Sequence, residues 1–349
     1  MKQQITRTIA GVMRPFVPIV CRAVVLYGHG VVHRLADPAV QSLHAEAVAF
    51  ERLIRTLKRS VEFIRLDDVS GGADLPNNAV CLTFDDGYRN NLTVAAPILR
   101  SLDVPFAVYV STNHLDSGTR LPTYVAKVAL RYTEVQSVCL PGLAESLVLP
   151  GRERWREAYA VVVALLKTSP QERVARIIEA LWALLPSDRW AELDVQFDSD
   201  APMSWTEARE LQALGVDIGG HCHDHAILHQ GQDAIEIERQ VATCRRRLLE
   251  NGVQARHFAF PNGQAVDIAP AALQAVRDAG FITAATTIPA CLHRGQSLHL
   301  LPRIAIRDTA EATLCHMLAA RTRLASLRRW QESMLAAAAQ RPLAYRRAA

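Results

Sequence analysis

The chain has 349 residues, 50% hydrophobic and 21% charged, a soluble globular composition long enough for one large domain or two modest ones. Intrinsic disorder and collagen-like repeats are excluded, and no run reaches the roughly 18 uncharged apolar residues of a membrane-spanning helix. The net charge of +4 sits in the ends: residues 1–36 carry five Lys or Arg and no acid, and residues 319–349 carry seven Arg and one Glu. The body between them is net acidic, which argues against a nucleic-acid partner and leaves the basic ends free to meet an anionic membrane face or a lipid phosphate.

Residues 1–22 form a basic N-terminal segment. Arg14 and Arg22 interrupt its apolar stretch, and it lacks the order of a signal peptide. Residues 23–31 read as an apolar strand running into His29, which lies between two glycines. A helix is predicted over 46–59, a short strand over Val61–Leu66 before an acidic turn, and a buried strand over Ala79–Phe84 that stops at Asp85-Asp86-Gly87. A helix over roughly 91–101 and an apolar strand over Pro105–Val110 continue the alternation, which predicts parallel βα units.

Residues 115–202 break this rhythm and read as a mostly helical insertion. Within it, Ser169-Pro-Gln-Glu172 predicts a capping box with Pro at the first helical position. Val174, Ile177, Ile178, Leu181 and Leu185 then form one apolar stripe. The alternation resumes with a second capping box, Ser204-Trp-Thr-Glu207, and a helix ending near Gly215. A strand over Val216–Ile218 delivers Gly219-Gly220-His221-Cys222-His223-Asp224-His225. A helix over about 233–250 is followed by a strand over His257–Phe260 that ends in Pro261-Asn262-Gly263. A helix over 268–279 and a strand over Phe281–Thr286 complete the pattern. Residues 311–349 form a basic helical tail whose apolar and Arg spacing suits a helix lying on a surface. The polar clusters fall at the C-terminal ends of apolar strands, the face on which parallel α/β barrels carry their chemistry.

Asp85 and Asp86 are paired carboxylates at one such end. Four of the twelve histidines, 221, 223, 225 and 229, fall within nine residues at another. A His-x-x-x-His pair with one distant carboxylate supplies three N/O ligands and leaves open positions, the composition of a catalytic site for Zn²⁺ or a related metal. The second aspartate is then free to act as a base. The seven cysteines are odd in number and contain no CxxC pair. A disulfide framework is not expected, and a reducing, cytoplasmic compartment is, with the basic ends allowing peripheral contact at the inner membrane face.

Thr83-Phe84-Asp85-Asp86-Gly87 resembles the first motif of the polysaccharide deacetylase family, the NodB-homology or carbohydrate esterase family 4 proteins. Val216 to His225 is similar to the second motif, His-Ser/Thr-x-x-His, with Cys222 in place of Ser or Thr. Phe258-Ala-Phe-Pro-Asn-Gly263 resembles the third, often Arg-x-Pro-Tyr-Gly. The likeness covers about 23–115 and 203–306. It implies a distorted (β/α)7-type barrel (an α/β fold) over residues 23–310, with the helical insertion at 115–202. It also implies Asp85 as catalytic base, Asp86, His221 and His225 as ligands of a divalent metal, and the Asn262 N–H as an oxyanion donor.

Ala259 stands where many members carry the Arg that orients the base, and Arg303 in Leu301-Pro-Arg-Ile304 is the substitute read from this sequence. The late Leu-x-His motif of the general acid is missing. Some members resemble a circular permutation in which an early Tyr-His turn brings the acid to the same place, and Tyr27-Gly-His29-Gly has that form. His299 is the alternative, and His223 and His229 have no motif counterpart. The resemblance implies removal of an N- or O-linked acetyl group from an exopolysaccharide, an oligosaccharide or a glycolipid precursor. Hydrolysis of another C–N bond, such as a formamide on a lipid-linked sugar, and an inactive carbohydrate-binding homologue are the alternatives.

Overall fold

The computed structural model describes residues 23–70, 75–76, 78–293, 296–307, 309–321 and 324–339, so the N-terminal segment 1–22 lies outside the described residues. The strands are, in chain order, β1 (Ala23–Gly28), β2 (Gly30–Val32), β3 (His44–Glu46), β4 (Glu62–Ile64), β5 (Ala79–Phe84) and β6 (Phe106–Val110). A small hairpin, β7 (Ser137–Val138) and β8 (Leu147–Val148), precedes β9 (Asp217–Gly220), β10 (His257–Ala259), β11 (Thr283–Ala285) and β12 (Ile304–Ala305).

The main sheet follows the order β11-β10-β9-β6-β5-β1-β12, and all of its pairings are parallel. β4 joins the first half of β5, Glu62 opposite Ala79, and β6 takes over along the second half, Leu82 opposite Phe106. The two ends of this path meet. Leu301 bridges Ala285 of β11, and three residues on, Ile304 pairs with Leu26 of β1. The result is a distorted (β/α)7 barrel closed by the segment 301–305.

Side chains alternate across each strand. On β1, β5 and β6 the outward set, among them Val24, Leu26, Val80, Leu82, Phe84, Phe106 and Val108, packs under the surrounding helices. The inward set is mostly small: Ala23, Val25, Ala79, Cys81 and Ala107, joined by Ala259 and Ala285 from β10 and β11. Small inward residues leave room inside the barrel, and Tyr109 and Arg303, both fully buried, occupy it.

The insertion has helices Pro122–Tyr132, Trp155–Thr168, Gln171–Trp182 and Ser187–Gln196. It carries its own core around Trp155, Val162, Ile177, Leu181, Trp190 and Phe197. The expected stripe is buried there at Val174, Ile177, Leu181 and Leu185. The expected capping box at Ser169 does not form. The helix begins at Gln171, Pro170 takes the N-cap, and Glu172 falls one position too early to reach back. Gln232 supplies the cap instead, its Oε1 accepting from the Gln171 N–H at 3.0 Å. The Ser204–Glu207 box does form, with Glu207 Oε2 accepting from the Ser204 N–H at 2.6 Å.

The strand expected over Val61–Leu66 is shorter, and a one-turn helix, Leu66–Ser70, replaces the acidic turn because Asp67 and Asp68 sit at its N-terminus. The tail forms helices Ala310–Arg321 and Leu324–Ala339, and Met317, Met334 and Ala338 enter the barrel's outer core. No helix among the described residues is long and apolar enough to cross a membrane.

Candidate metal centre

The site is assembled where the chain leaves the C-terminal ends of the strands. Among the described residues five non-glycine positions have positive φ, and four of them, Asp86, Cys222, His225 and Asn262, lie in its turns. Such backbone is costly and persists where surrounding structure enforces it. After β5 the chain enters the left-handed region twice, at Asp86 (φ 75°) and Gly87 (φ 71°), which turns the adjacent carboxylates toward different partners. A Cβ on Gly87 would stand 2.8 Å from Val110 Cγ1. Beyond β9 the His221 N–H donates to Val110 O at 2.8 Å, the Asn113 N–H to His223 O at 2.8 Å, and Ser111 Oγ to His221 O at 2.7 Å. The histidine turn is thereby clamped onto the end of β6.

Asp86 faces both imidazoles. Its Oδ1 lies 3.1 Å from His225 Nε2 and 3.6 Å from His221 Nε2. Burial works to raise the Asp86 pKa, but the hydrogen bond and charge of His225, with His29 and His221, hold it far below the carboxylate range. Burial drives His221 down to about 4 against the pull of Asp85, so its ring is neutral at pH 7. Its Nδ1 lies 2.7 Å from Ala259 O and donates there, leaving the Nε2 lone pair aimed at the carboxylate. Donor atoms of Asp86, His221 and His225 all fall within 4.8 Å of one another. Two imidazole nitrogens and a carboxylate gathered at one point fit a divalent cation, and the Ala259 carbonyl acts as the outer partner that fixes the His221 ring orientation.

Asp85 turns the other way. Arg303 Nη1 and Nη2 donate to its two oxygens at 2.7 and 2.8 Å. The guanidinium also donates from Nε to Thr286 O at 2.9 Å and from Nη1 to Thr83 Oγ1 at 3.1 Å. It is stacked between Tyr27 and Tyr109, 4.8 and 5.4 Å from their ring centres. Burial opposes ionisation of Asp85, yet the charge of Arg303 prevails, aided by His221, and the carboxyl stays below its usual range. A buried bidentate pair of this kind is strong where every donor is satisfied.

His29 occupies the turn between β1 and β2, its carbonyl held by Asn91 Nδ2 at 2.9 Å. Burial lowers its pKa against the opposing pull of Asp86 and Asp85. The Asn262 peptide is fixed from both sides. Thr287 Oγ1 donates to its carbonyl at 2.6 Å, and its own side chain donates to Asp267. His299 is directed elsewhere, its Nε2 lying 2.9 Å from Phe281 O at the start of β11, the end remote from the site. His223 meets Thr112 Oγ1 at 2.8 Å, and His229 meets Ser169 O of the insertion at 3.4 Å.

Two further histidines near the site, His114 and His44, carry no motif signal. His114 follows β6, with Nδ1 2.9 Å from Thr119 O and a buried Nε2 that has no hydrogen-bond partner. A polar residue just past a barrel strand was the available clue. His44 belongs to β3 and reaches the site only through the fold.

Asp67, Asp217 and His257 form a second group with donor atoms within 4.8 Å. It lies at the opposite, N-terminal ends of β9 and β10. Arg256 Nη1 is 3.1 Å from Asp67 Oδ2, and Arg65 pairs with Asp217. Two guanidinium groups already balance the two carboxylates, so this group is a structural ion-pair network.

Residues 72–144 and 173–284, more than half of the chain, match the family described as Polysaccharide deacetylase. No curated protein matches the chain. Among solved structures it is similar to the Streptococcus pyogenes deacetylase PplD in complex with acetate, with a TM-score of 0.55 and 15% identity, covering 85% of this chain and 99% of that one. IcaB from Ammonifex degensii is similar at a TM-score of 0.53 and 16% identity, covering 91% of this chain and 97% of that one. At such identities the structural likeness speaks for the fold alone, whereas the family match spans both carboxylates and both facing histidines. The chain belongs to the polysaccharide deacetylase family, hydrolases acting on carbon–nitrogen bonds other than peptide bonds.

Proposed function

We propose that the protein removes an N- or O-linked acetyl group from a carbohydrate, such as an exopolysaccharide, an oligosaccharide or a glycolipid precursor. The observation that carries this reading is the division of two adjacent carboxylates between different environments. Asp85 is clamped by Arg303, and Asp86 faces two imidazoles.

In this reading Asp86, His221 and His225 hold a divalent ion, Zn²⁺. When bound, it supplies a Lewis acid for the acyl carbonyl and eases deprotonation of water. Asp85, kept ionised by Arg303, accepts the proton of the attacking water as general base. The Asn262 N–H donates to the oxygen on which negative charge develops. His29 protonates the departing nitrogen or oxygen. Residues 23–310 act as the catalytic unit in this reading, and the basic ends provide for contact with anionic lipid.

The test is to offer acetylated, formylated and cyclic-amide substrates, including glycolipid intermediates, to metal-free and zinc-loaded protein and to identify the acid released. Acetate release that depends on zinc is expected. Formate or ammonia would move the reaction to another C–N bond, and sugar binding without turnover would make the protein a binding homologue.

A further inference from the structure

One imidazole outside the ligand set touches both turns on which the proposed chemistry depends. His44 and Asp200 form a buried pair, with side chains 2% and 5% exposed and Nε2 3.2 Å from Oδ1. Asp200 lies in the 3-10 turn Asp198–Asp200, the last element of the helical insertion. Its carboxylate is anchored further by Gln41 Nε2 at 2.6 Å and Ser199 Oγ at 3.0 Å.

The His44 ring uses its other edges against the barrel. β2 and β3 are parallel with Gly30 opposite His44, and a Cβ on Gly30 would stand 2.3 Å from His44 Nδ1. The ring therefore occupies the space left by the missing side chain of the residue that follows His29. Its face lies at 90° to Tyr88, 4.8 Å between ring centres. Tyr88 stands in the turn that begins at Asp86, two residues earlier. The same turn is tied to the insertion a second time. Asn90 Oδ1 accepts from the Val31 N–H at 3.0 Å, while Asn90 Nδ2 donates to Ser199 O at 2.7 Å.

We infer that the His44–Asp200 pair is a positioning device through which the helical insertion sets the His29 turn and the Asp86 carboxylate relative to each other. The inference rests on the proposed roles of His29 and Asp86. Neither His44 nor Asp200 needs to touch substrate. Packing against Gly30 fixes where the His29 turn stands, and contact with Tyr88 fixes the turn that carries Asp86 toward His221 and His225. Partners of this kind, one layer outside the reacting groups, are worth about 10- to 100-fold in metal affinity or activity.

The test compares His44→Phe, which keeps a ring against Tyr88, with Gly30→Ala, which retains every side chain of the network while its Cβ presses on the His44 ring and on Asn90 Oδ1. Gly30 lies outside the left-handed region, so its backbone accepts alanine. At saturating zinc, kcat on an acetylated sugar should fall about 10- to 100-fold in both variants. Turnover of 4-nitrophenyl acetate, whose leaving group departs without protonation, should change far less. Zinc affinity by chelator competition should weaken by about tenfold. Equal losses on both substrates with unchanged zinc affinity, or no loss at all, would overturn the inference. If His44→Phe does not fold, Gly30→Ala decides alone. If the wild-type protein releases acetate from neither substrate, the deacetylation reading falls, and the zinc measurement still decides the positioning claim.

Discussion

Arg303 and Asp85 lie 218 residues apart in the chain and share two hydrogen bonds, of 2.7 and 2.8 Å, in a place closed to solvent. Removing one member leaves the other charge buried and unpaired, at a cost of about 3–5 kcal/mol. Arg303→Met should lower the urea midpoint accordingly. The double variant Arg303→Met/Asp85→Asn should recover a large part of the loss. Two effects that simply add would show that the pair is not coupled.

Asp85→Asn should keep bound zinc and lose about 100-fold or more in turnover, the usual scale for a general base. Metal content measured beside kcat separates the roles. Zinc lost together with activity would make Asp85 a ligand.

His29→Ala should lower turnover with little change in zinc affinity and should hurt poor leaving groups most. Full activity in that variant would remove His29 from the mechanism. His299, anchored at the far end of β11, should tolerate alanine with activity retained.

The metal-free protein should weaken as pH falls through the histidine range. Burial holds His114 at about 4 in the folded state, against 6.5 for a free imidazole. Between those values the unfolded chain binds more protons. The stabilisation is therefore fully present above about pH 6.5 and is lost toward pH 4. That interval corresponds to about 3 kcal/mol for His114. His114→Leu should flatten the pH dependence of the urea midpoint between pH 7 and 4.5, and an unchanged slope would refute this.

Burial pushes the Cys244 thiol up to about 12 and holds the Cys81 and Cys222 thiols well above the usual thiol range. The thiolate is the reactive form, so iodoacetamide at pH 8 should spare these three in the native protein while modifying the exposed Cys139 and Cys315. Mass spectrometry before and after unfolding reads the difference.

Much of the barrel was legible because its signals are local. The run Ala79–Phe84 is apolar throughout and ends in two acids and a glycine, and the strand has those bounds. Ser204 and Glu207 stand at the spacing their reciprocal hydrogen bonds require. The grouping of Asp86 with His221 and His225 could be read because each motif follows the C-terminal end of a strand in one parallel sheet, β5 and β9, with only β6 between them. The failures are non-local. The Ser169 cap lost to Gln232, a side chain 61 residues away from the Gln171 it caps. His44 and Asp200 lie 156 positions apart and belong to elements with no period of their own. No spacing rule brings them together, and only the return of the insertion to the barrel does.

Closure of the barrel through residues 301–305 has a consequence for biosynthesis. At about 5–20 residues per second, Arg303 leaves the ribosome on the order of 10 to 40 seconds after Asp85. Throughout that interval strand β5 carries a carboxylate whose burial nothing offsets, and β1 lacks its neighbour β12. The first half of the chain therefore cannot settle into its final packing as it emerges. Cooperative folding waits for the last strand, and a nascent chain stopped short of Arg303 should remain sensitive to protease even with Asp86, His221 and His225 already synthesised.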